Sequence, residues 1–177
     1  MKTIITSVVA VLILCSSTSS CSKNYMADAK PSNLSECATN ATCSYFFNEH
    51  ADRDSVFRFK QGNYRLFWSE SRQNLASCEL VSTLWIKAPM NMNQFSLNTQ
   101  DIKNGLINYT QGCICCNLIG VKPVSGYVKG TNTTPDKRGD MTKWLIQAEI
   151  VLASIPYNRP IDTIRIKQYF YPNFEYN

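Results

Sequence analysis

The sequence predicts an all-β domain: a two-sheet β-sandwich of about eight strands, preceded by a signal peptide and a polar tether. Two observations carry this prediction. Apolar residues alternate at period 2 in several segments, and no convincing long helical stripe competes with them. Turn signals recur between those segments, as glycine, proline and asparagine clusters. Spacing this irregular favours a sandwich over a closed barrel, and no internal repeat is present. The clearest strand is 141–154. Trp144, Ile146, Ala148, Ile150 and Leu152 fall on one face, with Leu145, Gln147, Glu149 and Val151 on the other. Trp144, Ala148 and Val151 also suit a helical i, i+4, i+7 pattern, but the β-branched residues and the unbroken alternation favour the strand.

The chain begins with one basic residue, Lys2, then a mostly apolar run from Ile4 to Cys15 and small polar residues up to Cys21. At about twelve residues the run is too short to span a bilayer, so 1–20 reads as a signal peptide. Removing it takes away Lys2 alone and lowers the formal charge from +5 to +4. The remaining basic residues are scattered, which gives no patch for a nucleic acid. Residues 21–36 are polar and aperiodic, a flexible tether. Residues 37–177 are long enough for a single domain with its own core.

Within the domain, Cys37 to Cys43 reads as a small pinned loop, and Tyr45, Phe46 and Phe47 as a first strand or a short helical turn. Asn48 to Asp54 is the most functional-looking loop. Glu49, His50, Asp52 and Asp54 are candidate cation ligands, but the stretch lacks the glycine and ligand spacing of a calcium loop, so a solvated connection is preferred. Phe57 and Phe59 alternate with Val56, Arg58 and Lys60, and a turn at Gln61-Gly62-Asn63 predicts a hairpin returning through Tyr64 to Trp68. Ser69 to Asn74 is polar. Cys78 to Lys87 forms a long strand with apolar residues on both faces, the mark of a well-covered strand. Pro89 ends it, and Met90 and Met92 are possible packing plugs.

Phe95 and Leu97 open another strand. Asp101 to Tyr109 suits a strand bulged at Gly105, or one helical turn feeding a strand. The run CICCNLIGV at 113–121 reads as buried strand, and Pro123 to Lys129 as a short edge strand. Gly130 to Asp140 is the clearest loop, either a binding site or a plain connection. Asp162 to Tyr171 alternates as a strand with one solvated face, and the aromatic tail from Pro172 is expected to pack.

Six cysteines lie in the domain: Cys37, Cys43, Cys78, Cys113, Cys115 and Cys116. An even count in an exported chain suggests up to three disulfides, in any of fifteen pairings. Zinc is the rival, with the run at 113–116 supplying thiolates and Cys37 and Cys43 as remote ligands. The spacing of that run is read as departing from the C-x2-C of a structural site, and the single histidine is His50, so no metal and no cofactor are expected.

Cys21 follows Thr18-Ser19-Ser20 and precedes Ser22-Lys23-Asn24. This resembles a bacterial lipoprotein cleavage site, although Thr18 stands where a leucine is usual. With Gly126-Tyr127-Val128-Lys129-Gly130, the WLIQAEIVL strand and the DTIRIKQYFYPNF ending, the chain resembles small exported lipoproteins of the Bacteroidetes type. The resemblance implies an acylated Cys21, a lipid-bilayer partner and an outer-membrane location in the cell envelope. It brings no catalytic residues. Asp54-Ser55-Val56 and Asp162-Thr163-Ile164 resemble O-glycan acceptors of such bacteria. In a eukaryotic secretory setting Asn33, Asn40, Asn108 and Asn132 would instead accept N-glycans.

The leading expectation is therefore a membrane-tethered, non-catalytic binding or structural module, with an envelope protein or glycan as ligand. Tyr64, Trp68, Trp85 and Tyr169 are candidate stacking residues, each weighed against a half-buried place in a sheet. One alternative is a secreted, disulfide-stabilised inhibitor or effector without a lipid anchor. The other is a thiol-dependent hydrolase with His50 as base, which needs a free, activated cysteine. No G-x-S-x-G elbow supports serine chemistry, and the chain is not expected to be an enzyme.

Overall fold

The computed structural model describes residues 33–174 apart from Ser55, Phe57 and Ser77. The signal segment and Cys21 lie outside the described residues. In chain order the elements are β1 (Ala41–Arg53), β2 (Phe59–Gln61), β3 (Tyr64–Leu75), β4 (Cys78–Pro89), β5 (Gln94–Leu97), helix α1 (Thr99–Lys103), β6 (Ile107–Gly112), β7 (Val121–Asn132), a 3-10 turn (Gly139–Met141), β8 (Trp144–Ser154) and β9 (Pro160–Pro172).

The domain is all-β. Its nine strands make one open sheet in the order β5-β7-β8-β9-β1-β3-β4-β6, with β2 paired to β1. Every pairing is antiparallel except β1 with β9, a short parallel contact of Phe46 with Tyr171 and Phe47 with Pro172. β3 and β5 stand five places apart in that order, which in a flat sheet means roughly 24 Å at ~4.8 Å per strand. Yet the ring of Phe67 on β3 lies 5.5 Å from Phe95 on β5, 5.5 Å from Trp144 on β8 and 5.8 Å from Phe170 on β9. The sheet therefore curls enough to bring β3 within ring contact of β5, β8 and β9.

β8 carries the face that the alternation predicts: Trp144, Ile146, Ala148, Ile150 and Leu152 are all buried in the main cluster. β4 is buried on both faces, as its sequence suggests. Leu84 and Ile86 join the main core, while Trp85 packs with Ala51, Leu66 and Trp68 in a second cluster flanked by Phe46 and Phe59.

Three local expectations are corrected, and the polar stretch 69–74 finds its place. Asn48 to Arg53 is strand, not loop. The hairpin reversal falls at 54–58, not at 61–63: Asp54 Oδ1 accepts the backbone N–H groups of Val56 and Arg58, both at 2.9 Å, which closes a tight side-chain turn. β2 accordingly pairs with β1 and not with β3. Gly62 then passes so close to β1 that a Cβ there would lie 2.5 Å from that of Asp52. Ser69 to Asn74 belongs to β3, because cross-strand pairing with β4 satisfies its polar backbone regardless of its side chains. Residues 113–120 are not a buried strand but an irregular segment in which Ile114 is fully exposed. Between Asp101 and Tyr109 the helical alternative is the one found. Asn98 caps α1 in a reciprocal capping box with Asp101.

Candidate functional site

The most developed concavity is a cleft of about 640 Å³, in the size range of small-ligand sites. It is assembled from four separated segments: the middle of β1, β2, the 3-10 turn and the end of β9. His50, Phe59, Gln61, Asp140, Asn173 and Phe174 are among its lining residues.

A β-bulge shapes its floor. The β1–β3 register steps from Asn48 opposite Leu66 to Ala51 opposite Tyr64, which leaves one extra residue on β1. His50 absorbs it with φ of +51°, an uncommon backbone for a residue with a side chain. The bulge leaves Glu49 and His50 both exposed.

Around the bulge the polar groups are tied to partners. Arg65 is 7% exposed and its guanidinium donates to Glu49 Oε1 at 2.7 and 3.0 Å. It also donates to the Met90 and Met92 carbonyls and lies 4.4 Å over the Trp144 ring. Asn48 is buried. It accepts from Trp68 Nε1 at 3.1 Å and donates to the Asn173 carbonyl at 2.8 Å. The Asn173 N–H in turn donates to the Phe47 carbonyl, so the end of β9 is stapled to β1. Burial would raise the Asp52 carboxyl, but Lys87 Nζ at 2.6 Å and the Arg53 N–H hold it below the ordinary carboxylate value. Asp140 is likewise held low by the Arg138 guanidinium at 2.6 Å.

These pairings settle the cation reading of the 48–54 stretch. Glu49, Asp52 and Asp54 are engaged by Arg65, Lys87 and Arg58 respectively, so they do not converge on an ion. The loop between β7 and β8 is braced internally, Lys143 N–H donating to Thr134 Oγ1 at 2.7 Å, and it delivers Gly139 and Asp140 to the cleft. Of the four aromatic residues proposed for stacking, Trp68 and Trp85 are buried in the second cluster, and Tyr64 and Tyr169 are half-buried. The exposed ring at the cleft is Phe174 instead, part of the tail that the sequence reading expects to pack. The parallel β1–β9 contact puts it there, and no local pattern announces such a contact.

The cysteines lie elsewhere. The structure bonds Cys37 to Cys43, Cys78 to Cys115 and Cys113 to Cys116, with Cα separations of 5.8, 6.2 and 5.4 Å, within the span of a disulfide. Extending the β4–β6 register, in which Val81 faces Gly112, sets Cys78 opposite Cys115. Cys113 and Cys116 do stand at C-x2-C spacing, which the neighbouring Cys115 obscures. No cysteine lines the cleft that holds His50.

Of the O-glycan acceptor strings, Thr163 lies within β9, half-buried and paired with Val151, and Ser55 lies outside the described residues. Asn33 and Asn40 are exposed, Asn108 and Asn132 half-buried. No helix among the described residues is long and apolar enough to cross a membrane.

No family model, no curated protein and no solved structure matches this chain.

Proposed function

We propose that the chain is a lipoprotein of the cell envelope, tethered through an acylated Cys21, whose β domain binds a ligand without catalysis in the cleft at the β1 bulge. The observation that carries this reading is the construction of the cleft. The end of β9 is stapled to β1 through Asn48 and Asn173, and the Glu49–Arg65 pair braces the bulge, leaving a recess lined by polar groups and the exposed Phe174 ring. A recess with one aromatic surface and several amide and carboxylate groups suits a glycan or the end of an envelope peptide, since the ring supplies stacking and the polar groups supply orientation. The lipoprotein-like start and the resemblance to small exported lipoproteins support the anchor. We read the curled sheet as two facing layers of a sandwich, β5-β7-β8-β9 against β1-β3-β4-β6. Phe67 supports this by touching rings on three strands of the opposite layer.

A thiol hydrolase draws no support from this geometry, because His50 and the cysteines sit in different places.

Two measurements test the proposal. The intact mass of the protein from membrane and soluble fractions reads the anchor: an acylated chain starting at Cys21 supports it, and a soluble, unacylated chain returns the secreted-effector reading. Glycan and peptide arrays probed with the purified domain read the cleft. Binding that falls at least tenfold in Phe174→Ala and His50→Ala supports the site. Binding indifferent to both, or none, overturns it.

A further inference from the structure

At the other conspicuous recess, four cysteines converge where β4 begins and β6 ends. We propose that Cys78, Cys113, Cys115 and Cys116, in their thiol form, make a tetrathiolate site for one soft divalent cation of the zinc class.

The convergence follows from the ladder. β4–β6 pairing ends at Val81 opposite Gly112, and carrying that register outward puts Cys78 across from Cys115. Cys113 leaves the ladder immediately after Gly112, and the turn that follows returns Cys116 to within 5.4 Å of it, Cα to Cα. Two sulfurs therefore come from a C-x2-C turn, one from the residue between them and one from the facing strand.

Opening the two disulfides leaves the sulfurs near enough to share one ion. Sγ atoms of Cys78, Cys113 and Cys115 all lie within 4.8 Å of one another, and Cys113 Sγ is 3.9 Å from Cys115 Sγ. Around a tetrahedral zinc with Zn–S bonds of ~2.3 Å, neighbouring sulfurs stand about 3.8 Å apart. Cys116 Sγ lies outside that group of three, but its Cα stands 5.4 Å from that of Cys113, so with the link to Cys113 open its side chain reaches toward the same ion. Glu79 borders the recess but its carboxylate is engaged by Arg72 at 3.2 Å, which leaves sulfur as the ligand set.

The segment also needs a cross-link of some kind. Residues 113–120 carry no regular secondary structure, and Ile114, Leu118 and Ile119 are exposed, so no apolar packing of its own holds this segment to the sheet. In the oxidised chain the Cys78–Cys115 disulfide does this. In the reduced chain one cation bound by four thiolates does the same, releasing four thiol protons and changing no oxidation state.

The test uses the full chain, reduced with a phosphine under anaerobic conditions and titrated with Co²⁺, then Zn²⁺. The expected result is one Co²⁺ per chain, with thiolate charge-transfer absorption and the visible bands of tetrahedral cobalt, displaced by stoichiometric Zn²⁺. Affinity should fall at least tenfold in Cys78→Ser and in Cys113→Ser, and stay unchanged in the Cys37→Ser/Cys43→Ser double variant. Circular dichroism covers loss of fold on reduction: if the β signal drops, Zn²⁺ should restore it in the wild type. Absence of cobalt bands, retention of binding in both single variants, loss of binding in the double variant, or a lost β signal that Zn²⁺ fails to restore would each overturn the site.

Discussion

Gly126→Ala is the sharpest test of the way the sheet is put together. Gly126 lies next to a bulge in β7, where the register shifts between Pro123 and Ser125, and its φ is +129°. An L residue there costs ~1–3 kcal/mol from backbone conformation alone. A Cβ would also overlap the Glu149 carbonyl oxygen and stand 3.0 Å from Ile150 Cα, both backbone atoms of the neighbouring strand. Relief requires moving β7 off β8. That weakens about two ladder bonds at ~1 kcal/mol each. It also strains the contact by which Thr99 Oγ1 accepts from the Gly126 N–H at 3.2 Å and donates to its carbonyl at 3.4 Å, the tie between α1 and β7. The sum is about 3–5 kcal/mol, a large share of the 5–15 kcal/mol typical of a domain. At roughly 3–4 °C per kcal/mol for a domain of this size, Tm should drop by about 10–20 °C. Thermal and urea unfolding followed by circular dichroism measure it. Gly112→Ala is the internal control: a Cβ there meets nothing within 4 Å, so its effect should stay within about 0.5 kcal/mol. A Gly126→Ala loss no larger than that of the control would refute the close β7–β8 approach.

Other perturbations follow from the same structure. Glu49→Ala strands the buried Arg65 guanidinium and should cost about 2–3 kcal/mol in urea unfolding, discounted because the Glu49 side chain is 40% exposed. Arg65→Met keeps the packing on Trp144 and should cost less, so the reverse ranking would contradict the desolvation argument. Asp52 has a folded pKa below its ordinary 3.8. Its pairing with Lys87 therefore stabilises fully above 3.8 and is lost as pH falls from there through the lower folded value. The stability advantage of wild type over Asp52→Asn should be constant near neutrality and vanish on acidification below about pH 4, and an advantage that grows in acid would reverse the sign. Removing the Cys37–Cys43 link, which spans six positions, should cost about 2 kcal/mol in the oxidised chain. An unchanged unfolding midpoint in Cys37→Ser/Cys43→Ser would show that the link does not constrain the unfolded chain.

Much of the strand content was legible because alternation is local. The inward face of β8, the two-sided burial of β4 and the solvated face of β9 each follow from side chains pointing alternately to either side of a pleated backbone. Misreadings arose where polarity stood in for conformation. Asn48 to Asp54 reads as a loop because it is charged and polar, yet Asn48 to Arg53 is strand, its backbone satisfied by ladder pairing whatever its side chains carry. The run at 113–121 failed in the opposite sense. It is apolar enough for a strand, but β4 begins at Cys78, opposite Cys115 in the extended register, so the residues beyond 115 find no β4 partner there.

The glycine-bounded string at 126–130 was visible as a pattern while its cause was not. The reason is tertiary: a Cβ at Gly126 would meet the β8 backbone, and one at Gly130 the ring of Phe95.

By itself the sequence determined an all-β domain, the strand read at 141–154 and found at 144–154 with its buried face, and an even set of cysteines in the domain. Each of these depends on residue type and near neighbours. Only the tertiary structure decided which strands adjoin. The parallel contact of β1 with β9 brings Phe174 to the His50 bulge, and the β4–β6 register brings Cys78 to the cysteine run. Both join residues far apart along the chain. Backbone pairing between them is identical for nearly any side chain, so what selects one partner over another is the packing of the whole core.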